Sequence, residues 1–340
     1  TGTALVVWMG VGVIGFYTAM TIFTVPHASL GAELSMSYDD RNRVFGWRHV
    51  CFMSGAFIAI GGMRLLIASD TPRATARDVA LIASLVTVAV MLFCVARTRE
   101  RPEHMGRGAD NPLRAFRDVL GNPHARRLLV VALIEHLGSA NISILTPYAA
   151  HYIIGTPHLT PLFVLCYMVA AVSTALFWAR LAKRYDKKQL WMLSMMLTGV
   201  SFGAMFFCGE GDWIPVALLA TLAGVGGGCG GVIAPSIQSD IIDFDEYMTG
   251  ERKEGAYFAA FSFAFKGSAG LTLMFTGLVL QLSGFEPNVE QAETAKLAIR
   301  SLFALFPLVS LSMGALLLSR FALNREKHAE VRAALDARRK

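Results

Sequence analysis

Nine stretches of this chain are apolar over at least 20 residues each, at about 4–30, 44–69, 76–97, 127–154, 160–182, 189–208, 213–239, 255–283 and 299–322. A run of that length is too long for most helices of a soluble core and long enough to cross a bilayer. Only closed hydrogen bonding within a helix satisfies the backbone there, so nine transmembrane helices are expected. Composition agrees: 54% of residues are hydrophobic and 16% charged, with mean hydropathy +0.49, against about 25% charged in soluble domains.

The net charge of +6 could suggest a nucleic-acid partner, but its distribution argues for topology instead. If the spans alternate, 24 of the 31 Lys and Arg residues fall on one side and four on the other. The positive-inside rule places the richer side, and with it the C-terminus, in the cytoplasm. No nucleic acid is needed. A multi-pass protein of a bacterial inner membrane, working as a monomer in the lipid bilayer, is expected. The five cysteines form no CxxC and have no histidine at ligand spacing, so neither a disulfide framework nor a metal site is expected.

The spans fall into three and six, divided by the basic stretch 97–127. The expected domains are a remainder of an N-terminal bundle (1–98), a cytoplasmic central loop (99–125), a six-helix C-terminal bundle (126–324) and a cytoplasmic tail (325–340). Two six-span halves joined by a cytoplasmic loop is the major-facilitator architecture. On that pattern the chain corresponds to helices 4–12 of 12, and three further spans are expected before Thr1. Asn111 to Leu120 reads as a short amphipathic helix. Residues 325–339 read as a solvated polar helix.

Charge inside the spans is costly and marks function. Lys266 stands alone near the middle of 255–283. Arg48 lies about a turn inside the second span and Arg64 near its other end, where it can reach the interface. Glu135 and His136 are adjacent in the fourth span and point about 100° apart, so one of them can face the bundle interior. A proton relay through Glu135 and interhelical hydrogen bonding are both open. Thr21 and Thr24 share a helix face ahead of Pro26. The glycines of 224–231 (GVGGGCGG) read as close helix packing. No strand precedes them and no GK[ST] follows, which argues against a phosphate loop.

The junction at 235–271 is the most specific feature. Asp240-Ile-Ile-Asp243-Phe-Asp-Glu246-Tyr, then Gly250-Glu-Arg252-Lys-Glu254-Gly, then Lys266-Gly-Ser, resembles the glycoside–pentoside–hexuronide:cation symporter family of the major facilitator superfamily. Tyr17-Thr18, Pro26, Ser29-Leu30, Arg41 and Arg48 resemble that family's fourth helix and the start of its fifth. Trp178-Ala-Arg180-Leu-Ala-Lys183 resembles its loop between helices eight and nine. The resemblance implies an all-α membrane transporter of the major-facilitator fold. It implies cation-coupled (Na+ or H+) symport of a sugar, glycoside or uronate by alternating access, without cofactor. It further implies that Thr21 and Lys266 serve the coupling cation. With Thr24 and Arg48 they would form the substrate site. Arg41, Arg180, Asp240, Asp243, Arg252 and Glu254 would close a cytoplasmic gate.

Two departures bear on substrate. Thr24 stands where the family's galactoside transporters have a sugar-binding aspartate, and Ala28 replaces a tryptophan platform. The family's helix-two cation-site aspartates have no counterpart in these 340 residues, so coupling by them alone is not expected. A transporter of lysolipids or other organic anions on the same fold is the alternative. A membrane enzyme is a remote one: the sequence has no HExxH, no GxSxG and no paired aspartates at midplane, and no catalytic residue is expected.

Overall fold

The computed structural model describes residues 2–34, 38–67, 69–98 and 111–338. Helices form on each expected apolar stretch: α1 (Gly2–Glu33), α2 (Tyr38–Ile67), α3 (Pro72–Arg97), α5 (Pro123–Tyr152), α6 (Thr160–Leu181), α7 (Lys187–Ala204), α8 (Trp213–Thr249) and α9 (Glu254–Leu282). The ninth span combines α10 (Glu293–Arg300), a π turn over Ser301–Leu305 and α11 (Phe306–Ser319). Nine helices among the described residues are long and apolar enough to cross a membrane, and an integral multi-pass protein follows. Two shorter helices flank the last six spans, α4 (Pro112–Gly121) and α12 (Arg325–Arg338). The α4 helix falls where the amphipathic stretch was expected. Residues 99–110 and the side chain of Arg64 lie outside the described residues.

Chain chemistry sets the boundaries. Pro72 and Pro123 begin α3 and α5, where a missing N–H costs nothing. Asn122 caps α5 by accepting from the His124 and Ala125 amides, and Asp186 caps α7 through the Lys188 amide. Gly250 ends α8 in the left-handed conformation, φ 74°. Pro26 lies inside α1, which continues through it.

Among the last six spans α8 lies against α6 and α7, while α5 lies against α9 and α11, and α11 against α7. At Gly224 a Cβ would strike the carbonyl of Tyr167 on α6, so the glycine run permits backbone contact. Apolar cores lie at both ends. Trp178, Trp191 and Ile233 belong to one, Phe163, Phe202 and Phe303 to the other. From the first three spans, α2 packs along α6 and α8 and α1 along α9, while α3 lies chiefly against α2.

Two expectations need correction. The seventh span does not stop near residue 239. The α8 helix has 37 residues, about 55 Å of helix against a hydrocarbon core of roughly 30 Å. Its last turns carry Asp240, Asp243, Asp245 and Glu246 beyond the apolar layer. Nor is the C-terminal helix solvated. His328, Val331 and Leu335 of α12 are buried against the end of α8, because an i, i+3, i+7 stripe faces inward on an otherwise polar helix.

Candidate functional site

The starts of α2, α5, α7 and α9 and the ends of α8 and α11 meet at one end of the bundle. There Asp243, fully buried, is the centre of a charge cluster. Arg41 of α2 grips it at two points, Nη1–Oδ2 2.7 Å and Nη2–Oδ1 3.1 Å. The same Nη1 donates to Asp240 Oδ1 at 3.2 Å. Lys187 Nζ donates to Asp240 Oδ2 at 2.7 Å. Arg252 Nη1 reaches Asp243 (3.1 Å) and Glu246 (2.5 Å), while its Nε donates to Glu254. From α12, His328 Nε2 lies 2.9 Å from Asp243 Oδ2 and Arg332 Nη1 3.8 Å from Oδ1.

Burial of so many ions is tolerable only because each is matched. Arg41, Lys187 and Arg252 face Asp240, Asp243, Glu246 and Glu254, with His328 and Arg332 of α12 alongside. Burial works against the Arg252 charge, but Glu254, Asp243 and Glu246 outweigh it and hold its pKa above the usual value. Lys253 behaves alike beside this cluster. Burial opposes its charge, and Glu251, Asp118 and Asp245 raise its pKa.

Five of the six residues expected in a gate therefore sit in one cluster. Arg180 does not join it. It is exposed at the end of α6 and makes no ion pair among the described residues. Trp178 and Ala179 occupy the buried face of that turn, which points Arg180 outward. Lys187, at the start of the next helix, supplies the basic group instead. Lys187, Glu246, His328 and Arg332 went unassigned in the sequence reading. The signal for His328 was available, in the spacing of His328, Val331 and Leu335.

Further along, a cavity of about 180 Å³ opens between α1, α2, α5, α8 and α9. Thr24, Arg48, His136, Gln238 and Ser262 supply its polar lining, with Phe258, Phe261 and Phe265 among its apolar walls. No carboxylate lines it, and Arg48 has no ion-pair partner among the described residues. Thr24 and Arg48 thus share one space, which His136, Gln238 and Ser262 complete. Ala28 lines it too, leaving space where a larger side chain would fill. Thr21 and Lys266 stand about a turn away. Lys266 Nζ donates to Thr21 Oγ1 and lies 5.9 Å from the Tyr17 ring centroid. Among the described residues no group of His, Cys, Asp and Glu has the geometry to hold a metal.

A closed charge cluster at one end, a basic cavity behind it and a shell of membrane-spanning helices define a membrane transporter of the all-α major-facilitator fold. Residues 1–325 match the family described as MFS/sugar transport protein, and the chain belongs to it. The chain is similar to Uncharacterized symporter YjmB of Bacillus subtilis, at 25% identity over 90% of this chain and 68% of that protein. It is similar to the Glucuronide carrier protein homolog of Escherichia coli, at 21% over 99% and 73%. The Isoprimeverose transporter of Lactiplantibacillus pentosus shares 24% over 97% and 72%. The chain thus spans about 70% of the length of these relatives. Their names agree with the glycoside–pentoside–hexuronide resemblance, and family and relatives together point to transport.

Proposed function

We propose that the protein is a cation-coupled symporter of an anionic sugar, a uronate or glycoside bearing one negative charge, working by alternating access. The observation that carries this is the cavity chemistry: Arg48 lines it with no carboxylate beside it. A guanidinium without a counter-ion in an apolar setting favours an anionic guest, which it can bind at two points. The glucuronide carrier among the relatives supports the same class. Ser262, Gln238 and Thr24 offer hydrogen bonds to hydroxyls, and the phenylalanine walls suit a sugar's apolar face.

In this reading the charge cluster is the cytoplasmic gate of a bacterial inner-membrane protein with its C-terminus inside. Lys266 and Thr21 report the occupancy of the cation site, Na+ or H+, to the cavity. The two bundles divide at 99–125 and rock about the cavity. Among the described residues of the first bundle Arg41 is held by the second bundle's acids, so opening breaks its pairs with Asp240 and Asp243.

Counterflow in vesicles of the full-length protein tests the reading. Labelled glucuronate exchanges, a neutral glycoside exchanges poorly, and Arg48→Gln weakens glucuronate about 10- to 150-fold, the value of a hydrogen bond to a charged group. Equal exchange of neutral and anionic sugars would sink it. Exchange of a lysolipid without exchange of any sugar would instead establish the organic-anion alternative.

A further inference from the structure

Glu135 is absorbed by neither the gate nor the cavity. It stands near the middle of α5, at the depth where an ionised carboxylate is most costly. No Lys or Arg among the described residues forms an ion pair with it. Among the described residues its one side-chain hydrogen bond comes from the indole Nε1 of Trp191, at 3.4 Å. Trp191 is itself 1% exposed and fixed in the core between α5 and α8.

The groups around it come from every side. Tyr167 of α6 and Cys229 of α8 lie within its electrostatic reach. Gly230 of α8 faces it: a Cβ there would lie 3.4 Å from Oε1. On the next residue, Gly231, the ring of His49 from α2 occupies the space of a Cβ, and His49 Nε2 is buried without a partner. Of α9, Phe265 packs on neighbouring His136 at 4.5 Å, while the Lys266 ammonium is directed to Thr21. Arg48 lies in the cavity beside His136. None of these neutralises the carboxylate.

Two cavities flank this turn. Ala132 and His136 line the one that holds Arg48. Ser139, one turn the other way, lines a second of about 360 Å³ with Tyr167 and Thr198. Glu135 itself lines neither cavity, but a carboxyl on the turn that both border, with one weak donor and no cation, is arranged to hold a proton.

We infer that Glu135 is a proton-binding site on the turn that the two cavities border, and that the coupling ion is the proton. The first part stands on the geometry alone, and the second rests on the transport reading. Binding is the addition of one proton to one carboxylate oxygen while the other keeps the Trp191 contact.

Infrared spectra of the full-length protein in lipid vesicles, titrated across the range where carboxylates and histidines ionise, test the site. A carboxylic-acid C=O band that vanishes as pH rises is expected, absent from Glu135→Gln and retained in Glu135→Asp. Trp191→Phe keeps the acid and removes its donor, so the band moves. Bands shared unchanged by the wild type and both Glu135→Gln and Trp191→Phe would overturn the site. Glucuronate counterflow in the wild type separates the two claims. If the band is present and counterflow absent, the transport reading fails and the site stands. If counterflow occurs, an inward proton gradient drives accumulation that Glu135→Gln loses. Equal accumulation in that variant would overturn the coupling.

Discussion

Arg41 and Asp243 are 202 positions apart in the sequence and form a two-point ion pair, both side chains 0% exposed. A buried pair of this kind is a poor stabiliser against an apolar alternative, but removing one partner strands the other. The loss is about 3–5 kcal/mol in such cases. Asp243→Asn retains shape but removes the charge that Arg41 needs and replaces one of the two acceptor oxygens with an NH2 donor. Its expected result is a closed state that opens more readily. With Ser262→Cys as a reporter in the cavity, alkylation by a polar maleimide added at the charged end should speed up. An unchanged rate would mean that the pair does not hold the gate.

Lys266 and Thr21 tie α9 to α1 through one hydrogen bond in an otherwise apolar setting. Lys266→Ala should abolish gradient-driven uptake without lowering the amount of protein in the membrane, because its burial is partial and its removal leaves only a hydroxyl. Lys266→Arg should fail as well, since a planar fork cannot replace a compact ammonium. Normal cation-driven uptake by either variant would refute the role.

How much of this could be read from residues depended on periodicity and on distance. The nine spans needed only length and hydropathy, and each is a helix. Asp240, Asp243, Arg252 and Glu254 were legible as a charged junction, and a resemblance linked Arg41 to them. Arg180 was assigned by that resemblance, but helix phase decides where a side chain points, and Trp178 and Ala179 hold the inner face. Lys187 replaced it because the turn after α6 brings the start of α7 beneath Asp240. His328 lies in a stripe with Val331 and Leu335, a spacing that the polar character of the helix makes easy to overlook. A stripe of three inward residues looks like solvent-facing sequence until a partner surface exists for it. Glu135 was legible as a charge within a span, but not its single contact with Trp191, which depends on how the helices pack.

The C-terminal helix extends the charge cluster. His328 Nε2 contacts Asp243 directly, Arg325 donates to the Lys183 carbonyl at 2.7 Å and Arg338 to the Tyr247 carbonyl at 2.7 Å. Ending the chain after Asn324 removes these contacts together with the buried Val331 and Leu335. The truncated protein should admit the maleimide to Ser262→Cys faster than the full chain, with His328→Ala intermediate. Equal labelling of all three would show that α12 covers the cluster without restraining it.

Gly231 and His49 make the sharpest prediction, because the contact joins α2 to α8 with no room to spare. A methyl group at Gly231 would overlap the His49 ring, and both helices are backed by neighbours, so the clash can be relieved only by separating them or by displacing the ring. Gly231→Ala should therefore hold α2 off α8, strain the Arg41–Asp243 pair a few turns away and raise cavity labelling from the charged end. Overpacking of this sort costs roughly 1–3 kcal/mol. His49→Ala removes the obstacle, and the double variant Gly231→Ala/His49→Ala should return labelling to near the starting rate. Pairwise coupling of that kind, measured as a double-mutant cycle, distinguishes a direct contact from general loosening. Additive effects of the two substitutions would place the restraint elsewhere.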